Sequence, residues 1–122
     1  MPVPIMKQGE YLIASIQSAL TDVDLLTFQS SLSEMVGRHH TRGVIIDVTI
    51  LDVIDSFAAR TLRAIAYTLK LRGADTVIVG IQPEVAFSMV QLGLSLEGVK
   101  TALDLDDGLE LLNKRGNDEH RE

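Results

Sequence analysis

Between positions 47 and 58 the chain reads Asp47-Val48-Thr49-Ile50-Leu51-Asp52-Val53-Ile54-Asp55-Ser56-Phe57-Ala58. Three carboxylates and one serine hydroxyl stand there among apolar residues that would be costly to expose without a partner. Two kinds of chemistry suit these groups. The carboxylates would suit metal-assisted chemistry or an aspartyl-phosphate receiver, and the hydroxyl of Ser56 would suit phosphorylation. The stretch is expected to run from a buried strand through a loop to a helix start, the edge of an α/β sheet where function collects.

Ser56 falls at the N-cap or N1 position of that helix. As a cap, its hydroxyl would accept a bond from a free backbone N–H, worth about 1 kcal/mol. As a phosphoacceptor, it would hold the new group near free N–H donors and the positive end of the helix dipole. The added charge, roughly −1.5 to −2, would fall beside Asp52 and Asp55 and alter a docking surface far more than the core. The two roles are compatible, because a capping serine can also be phosphorylated.

The carboxylate chemistries fit less well. A receiver needs an acidic pair after its first strand and a lysine at the end of a late strand. Here the first strands end in no acidic pair, and Lys100 lies inside its own short segment. Asp47, Asp52 and Asp55 also lack the alternate spacing, central glycine and distal glutamate of a calcium loop, so no metal is expected. His39-His40 follow a helix end, where a partly charged imidazole complements the dipole, and no nucleophile or carboxylate lies within sequence reach. No GxGxxG or Walker pattern occurs, and no cofactor is expected. Arg60, Arg63, Lys70 and Arg72 form a basic outer face that adjoins the Ser56 loop and could meet an acidic partner. Nothing here completes a catalytic constellation, so no enzymatic activity is expected.

Composition narrows the classes further. The chain has 122 residues, 46% of them hydrophobic, which is one domain's worth of core and too little for two. There is no cysteine, hence no disulfide framework, thiolate metal site or thiol nucleophile. Eleven basic against 17 acidic residues leave a net charge of −6, which argues against binding a phosphate backbone. The most apolar run, residues 43–54, is interrupted by Asp47 and Asp52 and is far shorter than the roughly 20 residues of a membrane span. Met1-Pro2-Val3-Pro4 lacks the basic and apolar regions of a signal peptide, so the cytoplasm is the expected compartment.

The elements that must position these residues alternate between extended and helical patterns. Residues 3–6 and 10–16 read as strands joined through Lys7-Gln8-Gly9 in a hairpin. Thr21 and Asp24 mark a helix start, Leu25, Phe28, Leu32, Met35 and Val36 form its apolar stripe, and Gly37 sits near its end. The β-branched run at 43–48 is a central strand, and a second helix follows Asp55-Ser56 with Gly73 just past its end. Residues 76–80 form another strand, and Pro83 opens a third helix over 84–92. A short strand at 99–103 leads to a last helix capped by Asp104, and the polar run after Asn113 is expected to fray. This predicts a single α/β domain over 1–113, with a mostly parallel sheet, an N-terminal hairpin and about four helices, and a polar tail over 114–122.

Several segments together carry a family resemblance. Ile54-Asp55-Ser56-Phe57-Ala58 at a helix start, then Leu71-Arg72-Gly73-Ala74 before a strand, resemble a STAS domain, the fold of the anti-sigma-factor antagonists. Val79-Gly80-Ile81-Gln82-Pro83-Glu84-Val85-Ala86, Leu92-Gly93-Leu94, Thr101-Ala102-Leu103-Asp104-Leu105 and Gly108-Leu109 resemble its stressosome branch, and STAS sequence from Val3 onward looks like the single-domain RsbS type. The resemblance implies a non-enzymatic scaffold that co-assembles with RsbR-type paralogues into a large particle. It also implies an RsbT-type serine kinase that is held and released, and an RsbX-type phosphatase that resets the state. Carried over by position, the phosphoacceptor is Ser56, and Ser88 falls where RsbR-type paralogues have a second phosphorylatable residue. Asp52, Ile54, Asp55, Phe57 and Arg60 are the expected partner-binding residues around Ser56. A lone antagonist of an anti-sigma factor is the alternative within the same fold.

Overall fold

The computed structural model describes residues 3–120. Its elements run β1 (Ile5–Gln8), β2 (Tyr11–Ser15), α1 (Asp22–His39), β3 (Gly43–Asp47), α2 (Ser56–Leu71), β4 (Asp75–Val79), α3 (Pro83–Gln91), β5 (Lys100–Ala102) and α4 (Leu105–His120). The five strands lie in the order β1-β2-β3-β4-β5. Only β1 and β2 are antiparallel; the remaining pairs are parallel, as crossover through a helix requires.

Alternation along the central strands sends neighbouring side chains to opposite faces. Leu12, Ala14, Val44, Ile46 and Ile78 pack under α1, α2 and α3 with Phe28, Leu32, Leu62, Ile65 and Val85. Ile13, Ile45, Val77 and Val79 face the other way and meet Leu112, with Leu105 and Leu109 half-buried beside them. Both faces are therefore covered, and β3 and β4 read as continuous apolar runs for that reason. Gly108 lets α4 come down onto the sheet, since a Cβ there would stand 2.8 Å from Val79 Cγ1.

The start of α1 follows the sequence pattern closely. Thr21 accepts from the Asp24 N–H at 3.1 Å, and the Asp24 carboxylate accepts from the Thr21 N–H at 3.1 Å. This capping box satisfies two donors that would otherwise be orphaned. The Thr21 N–H, helped by the Thr21 hydroxyl, holds the Asp24 pKa below its ordinary value. A depressed carboxylate pKa contributes stability above the unfolded value, near 3.9, and loses it as pH falls through the folded value. In a carbon-13 NMR titration, the Asp24 midpoint should fall below the ordinary aspartate value, and Thr21→Ala should move it partway back.

Three local expectations change. The hairpin turn is Gly9-Glu10, not Lys7-Gln8-Gly9, because Gln8 pairs with Tyr11 and Gly9 at φ +59° supplies the left-handed turn position. Gly37 lies near the end of α1, as expected, and the helix is closed by His40, a non-glycine residue at φ 50°. Gly37 makes room for Arg72, whose Nη1 donates to the Ser33 carbonyl and hydroxyl, both at 3.1 Å. Arg72 thus ties α2 to α1 and leaves the basic outer face. The backbone of α4 continues as helix to His120, through most of the polar segment from 114 onward.

Candidate functional site

The β3–α2 loop is held at its beginning by an aspartate. Asp47 Oδ1 accepts from the Thr49 N–H at 2.9 Å and from the Thr49 hydroxyl at 2.6 Å, an Asx-type turn at the end of β3. Gln82 Nε2 donates to the Thr49 carbonyl at 2.6 Å, so the loop preceding α3 clasps the same residue. The Val48 N–H donates to the Val79 carbonyl at 3.0 Å and the Leu51 N–H to the Val48 carbonyl at 2.9 Å, extending the order toward Asp52. Asp47 is occupied with shaping the turn. Among the described residues, no group of three His, Asp or Glu side chains could hold a metal ion.

At its far end the loop becomes α2. Asp55 is the N-cap, its Oδ1 accepting from the Ala58 N–H at 2.8 Å. Ser56 is therefore N1, exposed, with the capping role taken by its neighbour. Asp and Ser are comparable caps, so adjacent residues of these types leave the choice open until the backbone settles it. The outcome leaves the Ser56 hydroxyl unspent at the surface.

The flanking residues divide between core and surface. Ile54 is buried at 4% exposure within the main core, so it cannot meet a partner in this fold. Val53, one residue earlier, is 69% exposed and Ile50 is 53% exposed. In an irregular loop no helical or strand period tells which residue turns inward, and the anchor side chain fell one position from the displayed one. Asp52 and Arg60 are exposed, and Phe57 is half-buried.

Beside Ser56 lies an apolar cleft of about 170 Å³ between the start of α1 and the start of α2. Leu20, Leu25, Leu51, Val53 and Ala58 help line it, and Asp22 and Asp55 bring carboxylates to it. The exposed Val23 and Leu26 of α1 lie along the same helix end. The contribution of α1 had no signal in the sequence, because it depends on how two helices meet across the sheet. Ser88 is exposed on α3 next to the exposed Phe87, and the structure does not place it in the Ser56 loop. His39 and His40 sit at the other end of α1, away from that loop.

A serine displayed at a helix start on the carboxyl edge of a five-stranded α/β sheet, behind an N-terminal hairpin, defines a class of protein. Residues 3–108 match the STAS domain, and the chain belongs to that family. Among solved structures it is similar to RsbS of Moorella thermoacetica, studied as a serine-to-glutamate variant. That match has 34% identity and a TM-score of 0.81, covering 94% of this chain and 97% of the other. A chain from the molecular architecture of the stressosome, described as a signal integration and transduction hub, matches at 34% identity and a TM-score of 0.78, covering 93% and 98%. By sequence it is 33% identical to the RsbT co-antagonist protein RsbRA of Bacillus subtilis over 59% of this chain. The chain spans about 30% of the length of that relative. Its fold is that of the anti-sigma-factor antagonists, and it is similar to RsbS and to a stressosome component. Among the described residues no helix is long and apolar enough to cross a membrane.

Proposed function

We propose that this chain is a non-enzymatic, RsbS-type scaffold of a cytoplasmic stressosome, switched by phosphorylation of Ser56. It co-assembles with RsbR-type paralogues and sequesters an RsbT-type serine kinase. The observation that carries this reading is the position of Ser56: exposed at N1, uncommitted to the cap, and next to an apolar cleft. Likeness to RsbS over nearly the whole chain supports it.

In this reading the unmodified loop docks the kinase through Val53, Phe57, Arg60 and the cleft. The Ser56 oxygen attacks the γ-phosphorus of ATP, an Oγ–P bond forms, ADP leaves, and the hydroxyl proton passes to the kinase. The new dianion stands beside Asp52 and Asp55 and next to an apolar surface, so repulsion and desolvation cost expel the bound kinase. Hydrolysis by an RsbX-type phosphatase returns the serine and inorganic phosphate. Ser88, exposed on α3, is a second acceptor of lower standing.

Phosphosite mapping by mass spectrometry tests the reading. Wild type and Ser56→Ala are incubated with an RsbT-type kinase and ATP, with and without an RsbR-type partner. Label on Ser56 that vanishes in the variant is expected; an unlabelled wild type under every condition overturns the switch. Sizing of the mixture should show a large mixed particle, whereas a small species would make the chain a lone antagonist.

A further inference from the structure

Arg60 follows Ser56 by four residues on α2, which puts both on one face about 6 Å apart along the axis. Side chains on a helix lean toward its N-terminus, so the Arg60 side chain leans toward the turn that carries Ser56. Arg60 is exposed and has no hydrogen bond or ion pair among the described residues. The nearest capping carboxylate, that of Asp55, is already committed to the Ala58 N–H. Arg63 is differently placed. Seven residues after Ser56, about 10 Å along the axis, it lines a separate groove of about 340 Å³ with Tyr67, Lys70 and Val99.

Resting on the reading of Ser56 as a phosphoacceptor, we infer that its phosphate is latched by Arg60 of the same chain. The guanidinium presents a planar fork of donors that matches two phosphate oxygens, and the arginine has no competing partner to give up. The latch gives phosphorylation a second effect. The modification adds negative charge and at the same time withdraws a cation from the surface offered to the kinase. A partner that engaged Arg60 in the unmodified state loses that contact as well as meeting repulsion.

Phosphoserine placed at position 56 by genetic code expansion makes the test independent of any kinase. Phosphorus-31 NMR then follows the second ionisation of the phosphate, ordinarily near 6, in otherwise wild-type protein and in Arg60→Gln and Arg63→Gln. A neighbouring cation favours the dianion, so loss of Arg60 should raise that pKa by about 0.15–0.7 unit. Loss of Arg63 should move it by less than half as much. The Arg60 Nε–H resonance should also shift on phosphorylation, and Arg63 Nε–H should not. Equal midpoints in wild type and Arg60→Gln, or equal shifts in the two variants, would overturn the latch and leave only a diffuse field. Failure of the kinase to label Ser56 overturns the phosphoacceptor reading by itself, and the NMR comparison is unaffected by it.

Discussion

Ser56→Asp should weaken binding of an RsbT-type kinase about 5- to 150-fold, the range that a coupling of about 1–3 kcal/mol produces. Ser56→Ala should bind at close to wild-type affinity and hold the kinase constitutively, since it can take no phosphate. Calorimetric titration of each variant with the kinase measures both effects. The same variants separate function from stability. Because Asp55 provides the cap, Ser56→Ala should change unfolding free energy by no more than about 0.5 kcal/mol. Asp55→Ala removes the acceptor for the Ala58 N–H and should cost about 0.5–2 kcal/mol in urea unfolding. A Ser56→Asp variant that bound as tightly as wild type would eliminate charge repulsion as the mechanism of release. Loss of binding in Ser56→Ala would make the hydroxyl itself part of the docking surface.

Long-range order was more legible in the sequence than the detail around Ser56, for physical reasons. Val44, Ile45 and Ile46 belong to a strand covered on both faces, and such a strand must be apolar throughout whatever packs on it. Thr21 and Asp24 complete their capping box within four residues, so nothing distant is needed to read it. The loop offers no such redundancy. Whether Val53 or Ile54 turns inward depends on the path between Asp52 and α2, and Ile54 was taken by the core. Asp55 and Ser56 compete for one cap, and the winner decides whether the hydroxyl is spent or displayed. Arg72 has the same sequence character as Arg60, but a glycine at position 37 on another helix draws it across to Ser33. Asp47-Val48-Thr49 did hold a readable signal, since aspartate two residues before a donor is an Asx-turn pattern. Its clasp by Gln82 comes from the far side of β4 and was not readable.

The largest expected change in stability lies beside that clasp, at Gly80. Gly80 sits at φ +83°, where an L-residue is strained by about 1–2 kcal/mol. A Cβ at this position would also run into the Thr49 hydroxyl and stand 3.1 Å from Asp47 Oδ1. Those are the two groups whose hydrogen bond shapes the start of the loop. Gly80→Ala should therefore lower unfolding free energy by about 2–4 kcal/mol, combining backbone strain with overpacking. Removing the obstructing hydroxyl supplies the control. In a Thr49→Ala background the same glycine substitution should cost about 1–2 kcal/mol, because the strain remains while most of the collision is gone. A double-mutant cycle in urea reads the difference directly. Equal costs in the two backgrounds would mean that the glycine serves only its own dihedral angle. Unequal costs tie the loop preceding α3 to Thr49, and through Thr49 to the loop that presents Ser56. On the proposed reading, Gly80→Ala should then also slow phosphorylation of Ser56 at temperatures where the variant is still folded, by loosening the segment which that reading assigns to kinase docking.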